Sequence, residues 1–145
     1  MIRVATPCDL PALTRMAADF HAAVPHLAAV PFSPLTASAA FQQAMGNPRV
    51  VVLVADRDAQ AVGVLAAQEV DYIGGPAIFA REILFWIDPD HRGRLAVPLL
   101  RAYEAWAQGR GIRLIGMTCF DNGRTPKLMT RLGYAATEVN FVKGL

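Results

Sequence analysis

The chain has 145 residues, 54% of them hydrophobic and 18% charged, which is the length of one domain, 1–145, with enough apolar content for a real core. Disorder is excluded, no apolar run approaches the ~18 residues of a membrane span, and Met1-Ile2-Arg3-Val4 enters a strand pattern with no charged-then-apolar leader, so a cytoplasmic protein with no membrane partner is expected. The net charge of +2 is unevenly spread: from His91 to Arg131 eight Lys or Arg face only Glu104 and Asp121, while the rest of the chain sums to −4.

Arg3-Val4-Ala5 closes a first strand, and Thr6-Pro7-Cys8-Asp9 reads as a capping box with proline at the first helical position. Leu10, Leu13, Met16 or Ala17, Phe20 and Val24 then fall at helical spacing. Pro25 and Pro31 interrupt the segment from Ala22 to Phe32, which is read as an irregular loop carrying His26, with His21 at its edge. Ser33-Pro34 opens a second helix that stops at Gly46-Asn47-Pro48. Val50 to Ala55, the turn Asp56 to Gln60, and Ala61 to Asp71 predict an antiparallel hairpin. After Gly74-Gly75-Pro76, Ile78 to Ile87 is a strand on which Ile78, Ala80, Glu82, Leu84 and Trp86 are expected to share one face. Leu99 or Leu100, Tyr103 and Trp106 or Ala107 mark the inner face of the next helix, with Arg101 and Glu104 outside. Ile112 to Cys119 follows as a strand, parallel to Ile78 to Ile87 because a helical crossover precedes it. A helix over Gly123 to Leu132 and a last strand over Tyr134 to Val142 complete the order β-α-α-β-β-β-α-β-α-β, an α/β chain with a mixed (α+β) sheet and no regular doubly wound alternation. Cys8 and Cys119 are far apart and have no metal spacing, so buried thiols and no metal site are expected.

The stretch Ile87-Asp88-Pro89-Asp90-His91-Arg92-Gly93-Arg94-Leu95-Ala96-Val97 is a strand, a polar turn and a helix start in succession. Such a turn gathers backbone N–H groups and the positive end of a helix dipole, and Arg92 and Arg94 add full charges, so the place suits a phosphate. A polyanionic small ligand fits the basic third, as RNA would. The aromatics are not interleaved with the basic residues as stacking platforms, and nucleic acid is therefore the lesser reading. The bland alternative is an ordinary turn with solvated arginines.

This stretch resembles the pyrophosphate loop of the GNAT family of N-acetyltransferases, Q/R-x-x-G-x-G/A after a strand ending V-x-P-x-Y/H, with Leu95 and Val97 where the family usually has glycine or alanine. Asp121-Asn122 through Leu128-Met129-Thr130-Arg131-Leu132-Gly133-Tyr134 is similar to the family's N-x-x-A-x-x-L-Y-x-x-x-G-F/Y, and Glu138 to Lys143 to its closing strand. The predicted order of elements is also that of the GNAT fold. The resemblance implies acetyl-coenzyme A as cosubstrate, lying in a gap between two parallel strands. Its pyrophosphate would meet Arg92, Gly93, Arg94, Leu95, Ala96 and Val97, its pantetheine the backbone of Phe85, Trp86 and Ile87, and Asn122 and Met129 would line the site.

The implied reaction is attack on the thioester by an amine of a small molecule or of a peptide or protein. Glu82 is the candidate base, being the only carboxylate within its apolar strand, where burial would raise its pKa; the alternative is a carboxylate merely paired with Arg81. His21 and His26 fall where the family's acceptor-binding segment would be. Met129 stands at the position of the family's tyrosine acid and cannot donate a proton. An acyl-coenzyme A-binding or interaction module without turnover is the second functional class, and association into a homodimer is left open.

Overall fold

A computed structural model describes residues 1–120 and 124–145. Among them the elements run β1 (Ile2–Val4), α1 (Leu10–Ala23), α2 (Pro34–Gly46), β2 (Val50–Arg57), β3 (Gln60–Asp71), β4 (Ile78–Ile87), α3 (Ala96–Gly109), β5 (Ile115–Gly116) and α4 (Thr125–Arg131). The strands form one sheet in the order β1-β2-β3-β4-β5, antiparallel throughout except for the parallel pair β4 and β5 joined through α3.

Both faces of the central strands are covered, which is why β2 and β3 read as continuous apolar runs. Leu53, Ala55, Leu65 and Ala67 turn toward Leu99, Leu100 and Tyr103 of α3 and Met129 of α4. Their neighbours Val52, Val54, Val64 and Ala66 turn the other way, toward Leu13 and Met16 of α1 and Phe41 of α2. This period-two alternation fixes the register, since a slip of one residue would exchange the two cores.

The helix expected from Pro7 begins as a single 3₁₀ turn, Pro7–Asp9, and becomes α-helical at Leu10. Asp9 accepts the Thr6 N–H at 2.7 Å and a two-pronged contact from Arg3 at 2.8 and 2.9 Å, so helix entry and first strand are tied at one carboxylate. Cys8, on that turn, is exposed and not buried as expected. Ser33 caps α2 by accepting from the Thr36 N–H at 3.2 Å.

Three expectations are corrected at the far end of the sheet. Ala66 pairs with Leu84 while Ala67 pairs with Glu82, so Ile83 is an extra residue in β4, a β-bulge. The single face expected for Ile78 to Trp86 is thereby broken: Ala80 packs under α3, whereas Leu84 and Trp86 pack against the α1 side. The strand expected over Ile112 to Cys119 pairs only at Ile115–Gly116, opposite Ala80 and Arg81. The last strand, Tyr134 to Val142, is not formed; a two-residue edge strand offers too short a ladder, and Val139, Phe141 and Val142 remain exposed. The helix expected over Gly123 to Leu132 is observed as Thr125–Arg131, with Gly123 outside the described residues.

Candidate active site

The site grows from the point where β4 and β5 part. They are paired at Ala80–Ile115 and Arg81–Gly116, and no further pair follows among the described residues, so the edge of β4 from Glu82 to Ile87 is left without a strand partner on that side. Glu82 sits at the apex of this opening, half-buried, and its Oε2 accepts the Thr118 N–H at 3.2 Å. Burial pushes its pKa up to about 7, and the Thr118 bond opposes that rise without cancelling it. Pairing with Arg81, the competing expectation, is not seen; Arg81 lies 3.8 Å from Glu138 instead.

Tyr103, fully buried on α3, donates its hydroxyl to the Gly116 carbonyl at 3.2 Å, directly behind the apex. Burial, followed by the nearby Tyr134 and Glu82, holds its proton well above the ordinary tyrosine range, so it is a neutral donor that fixes β5 where it diverges. Helical spacing marks Tyr103 as a core residue and says nothing of the hydroxyl; the usable signal is that a buried tyrosine needs a polar partner. Thr118 and the bulge at Ile83 are likewise absent from the sequence reading. The Tyr134 hydroxyl is buried beside Glu104, and burial first, then that carboxylate, pushes its pKa up to about 12. Met129 is buried in the same core as Tyr103, at 7% exposure. Asn122 lies outside the described residues.

At the open end of the gap, Asp88 is clamped by Arg15 at 2.7 and 3.0 Å and by the Trp86 indole N–H at 3.2 Å, which anchors the start of the loop to α1. Pro89–His91 is a 3₁₀ turn, and Gly93 follows with φ +86°, a conformation that favours glycine. Leu95, where the resemblance has glycine, is right-handed at φ −99°, and Val97 is already inside α3, so neither needs glycine's freedom. No side chain caps α3, and its first-turn N–H groups at Ala96 and Val97 point out of the helix end as open donors. Arg92 donates through Nε to the Ile87 carbonyl at 3.0 Å and lies over the Trp86 ring at 4.6 Å, which folds it back along the end of β4. Arg94 and His91 line a cavity of about 560 Å³ together with Arg57 at the end of β2 and Asp90.

Of the histidines expected in the acceptor segment, His21 is on α1 with its ring against Phe32 at 5.4 Å, and His26 is on the 3₁₀ turn Pro25–Ala29. A second cavity, of about 400 Å³, lies between α1, α2 and the bulged part of β4. Among the described residues no group of His, Cys, Asp and Glu could hold a metal ion, and no helix is long and apolar enough to cross a membrane.

No curated protein sequence matches this chain. Among solved structures, a tetramutant of the BH1408 protein from Bacillus halodurans superposes with a TM-score of 0.83 at 20% identity, over 100% of this chain and 99% of that one. The aminoglycoside 6'-N-acetyltransferase AAC(6')-IG from Acinetobacter haemolyticus gives 0.76 at 20% identity, over 100% and 99%. The aminoglycoside acetyltransferase meta-AAC0020 from an uncultured soil metagenomic sample, in complex with sisomicin, gives 0.75 at 15%, over 100% and 95%. At these identities the likeness is one of fold. The profile of the Acetyltransferase (GNAT) family matches residues 14–134, which include the parted strands, the loop and all four helices but for the first turn of α1, and the chain therefore belongs to the GNAT acetyltransferase family.

Proposed function

We propose that this protein is an N-acetyltransferase that moves the acetyl group of acetyl-coenzyme A onto a primary amine of a small molecule or peptide. The observation that carries the reading is the juxtaposition at one apex of an unpaired strand edge and a carboxylate, Glu82, whose pKa is about 7. The open edge at Phe85, Trp86 and Ile87 suits the amides of a pantetheine arm, which would extend the sheet where β5 has left it. The uncapped start of α3, with Ala96 and Val97, and the turn through Arg92, Gly93, Arg94 and Leu95 suit a pyrophosphate.

Bound acetyl-coenzyme A supplies an activated thioester. The amine nitrogen attacks the carbonyl carbon, a C–N bond forms, the C–S bond breaks, and the sulfur leaves with the electron pair. Glu82 accepts the proton that the nitrogen sheds, directly or through one water, and a base with a pKa close to the working pH is half ionised when needed. Met129 cannot protonate the sulfur, and a coenzyme thiol resembling cysteine, with a pKa of about 8.5, can leave as thiolate near neutral pH with modest help. The aminoglycoside acetyltransferases among the similar structures support a small-molecule amine as the acceptor class.

Coenzyme binding is tested by titration calorimetry. Acetyl-coenzyme A is expected to bind, and Arg92→Ala to weaken it about tenfold, the ~1.4 kcal/mol of one modest charge-assisted contact. Arg101→Ala is the control, since Arg101 is on the outer face of α3 and paired with Glu104 at 2.7 Å. Equal losses in both variants would remove the loop from the coenzyme site. The missing tyrosine acid at Met129 favours a second reading, a coenzyme-binding module without turnover, which would bind acetyl-coenzyme A and release no thiol with any amine.

A further inference from the structure

The cavity of about 400 Å³ between α1, α2 and β4 sits on the opposite face of the sheet from Tyr103, yet it abuts the apex. Its floor includes Ile83 and Leu84, and the residue before them is Glu82. The bulge makes this possible. With Ile83 inserted, the strand turns Ile83 and Leu84 into the cavity while Glu82 stays toward the parted strands, so only the thickness of β4 separates the cavity from the carboxylate. Beyond Arg81 β4 has no strand partner on that side among the described residues, and Ile83 is 49% exposed, so cavity and apex flank the same stretch of β4.

The lining decides what fits. Phe41, Ala44, Ile83 and Leu84 give it an apolar wall, Gln43 and Gln68 offer neutral amides, and no ionisable side chain lines it among the described residues. A polycation placed there would give up the hydration of several ammonium groups and meet no carboxylate in return. A monoamine brings one charge, at the nitrogen that reacts, and an apolar wall favours its neutral, nucleophilic form. The volume is within the roughly 300–1,000 Å³ of small-molecule sites.

Resting on the acetyltransferase reading, we infer that this cavity is the acceptor site and that it takes a primary monoamine with an aromatic or alkyl body and at most neutral polar groups, not a polycationic aminoglycoside. The bulge at Ile83 is then the device that joins acceptor cavity and base.

The test is a thiol-release assay with acetyl-coenzyme A and 2-phenylethylamine, tyramine, 1,5-diaminopentane or sisomicin, run beside calorimetry of acetyl-coenzyme A binding. The two aromatic monoamines are expected to exceed sisomicin at least tenfold in kcat/KM. Ala44→Trp, which fills the cavity from α2, is expected to raise KM for 2-phenylethylamine tenfold or more with coenzyme affinity unchanged. Gln43→Glu, at an exposed helical position where folding is not at risk, is expected to shift preference toward 1,5-diaminopentane. The assignment is overturned if sisomicin is the better substrate, if none of the amines reacts, or if both variants leave KM and preference unmoved. In each of those cases intact coenzyme binding would leave the coenzyme site standing, whereas loss of coenzyme binding in the unaltered protein would remove the acetyltransferase reading as well.

Discussion

Glu82→Gln is expected to lower turnover about 10²- to 10⁴-fold near pH 7 while leaving acetyl-coenzyme A affinity unchanged. The amide keeps the size of the side chain and can still accept the Thr118 N–H, so the geometry of the apex survives and only proton acceptance is lost. Activity of the unaltered protein should rise through pH 7 as Glu82 ionises, and the variant should recover in part at higher pH, where more of the amine is free. The same carboxyl has a stability signature of defined sign. Its folded pKa of about 7 lies above its ordinary 4.5, so its contribution is fully present below pH 4.5 and is lost as pH rises through 7. By pH 8 the ionised, half-buried group should cost about 3 kcal/mol that the glutamine variant does not incur. Urea melts of both proteins at pH 5 and pH 8 give the comparison; a difference independent of pH would mean that Glu82 is not desolvated.

A large loss of stability from a single substitution outside the apolar core is expected at Asp9, where Asp9→Ala should cost about 2–3 kcal/mol. Asp9 is 6% exposed and holds both prongs of Arg3 and the Thr6 N–H. Removing it leaves that N–H without its acceptor and releases the first strand from the start of α1. The loss stays below that of a fully buried pair because Arg3 keeps Asp56 at 2.9 Å. The Arg3 guanidinium, with the Thr6 bonds, lowers the Asp9 pKa from 3.8 to about 2. Its stabilisation is therefore complete above pH 3.8 and lost as pH falls through 2, and acid unfolding of the Asp9→Ala variant should lack that step. Chemical denaturation at neutral pH that found the variant unchanged would mean that Arg3 is held equally well by Asp56 alone.

How much of this was legible beforehand depends on range. The hairpin at Asp56 to Gln60, the cap at Ser33 and the loop glycine at Gly93 are written in local residue types, and the structure has them at those places. Glu82 stood out because a carboxylate in an apolar strand is conspicuous. What the residues could not announce was a matter of register: the bulge at Ile83 depends on how β4 pairs with β3, and it reverses the face of Leu84 and Trp86 relative to Ala80. Tyr103 and Gly116, or Glu82 and Thr118, meet only because α3 carries the chain back beside β4. The closing strand failed for a similar reason, since a strand-forming stretch over Tyr134 to Val142 is of no use without a neighbouring edge long enough to pair with. The acceptor cavity, built from α1, α2, β3 and β4 together, has no signature in any one stretch.

The central claim is that one acetyl group passes from the coenzyme to an amine at the Glu82 apex. It is tested most directly by incubating the protein with acetyl-coenzyme A and 2-phenylethylamine and measuring free thiol and acetylated amine together by absorbance and mass spectrometry. The account predicts equal amounts of both products, formed many times per protein molecule and suppressed by Glu82→Gln. Thiol release without acetylated amine, or equal rates with and without the Glu82 carboxylate, would contradict it.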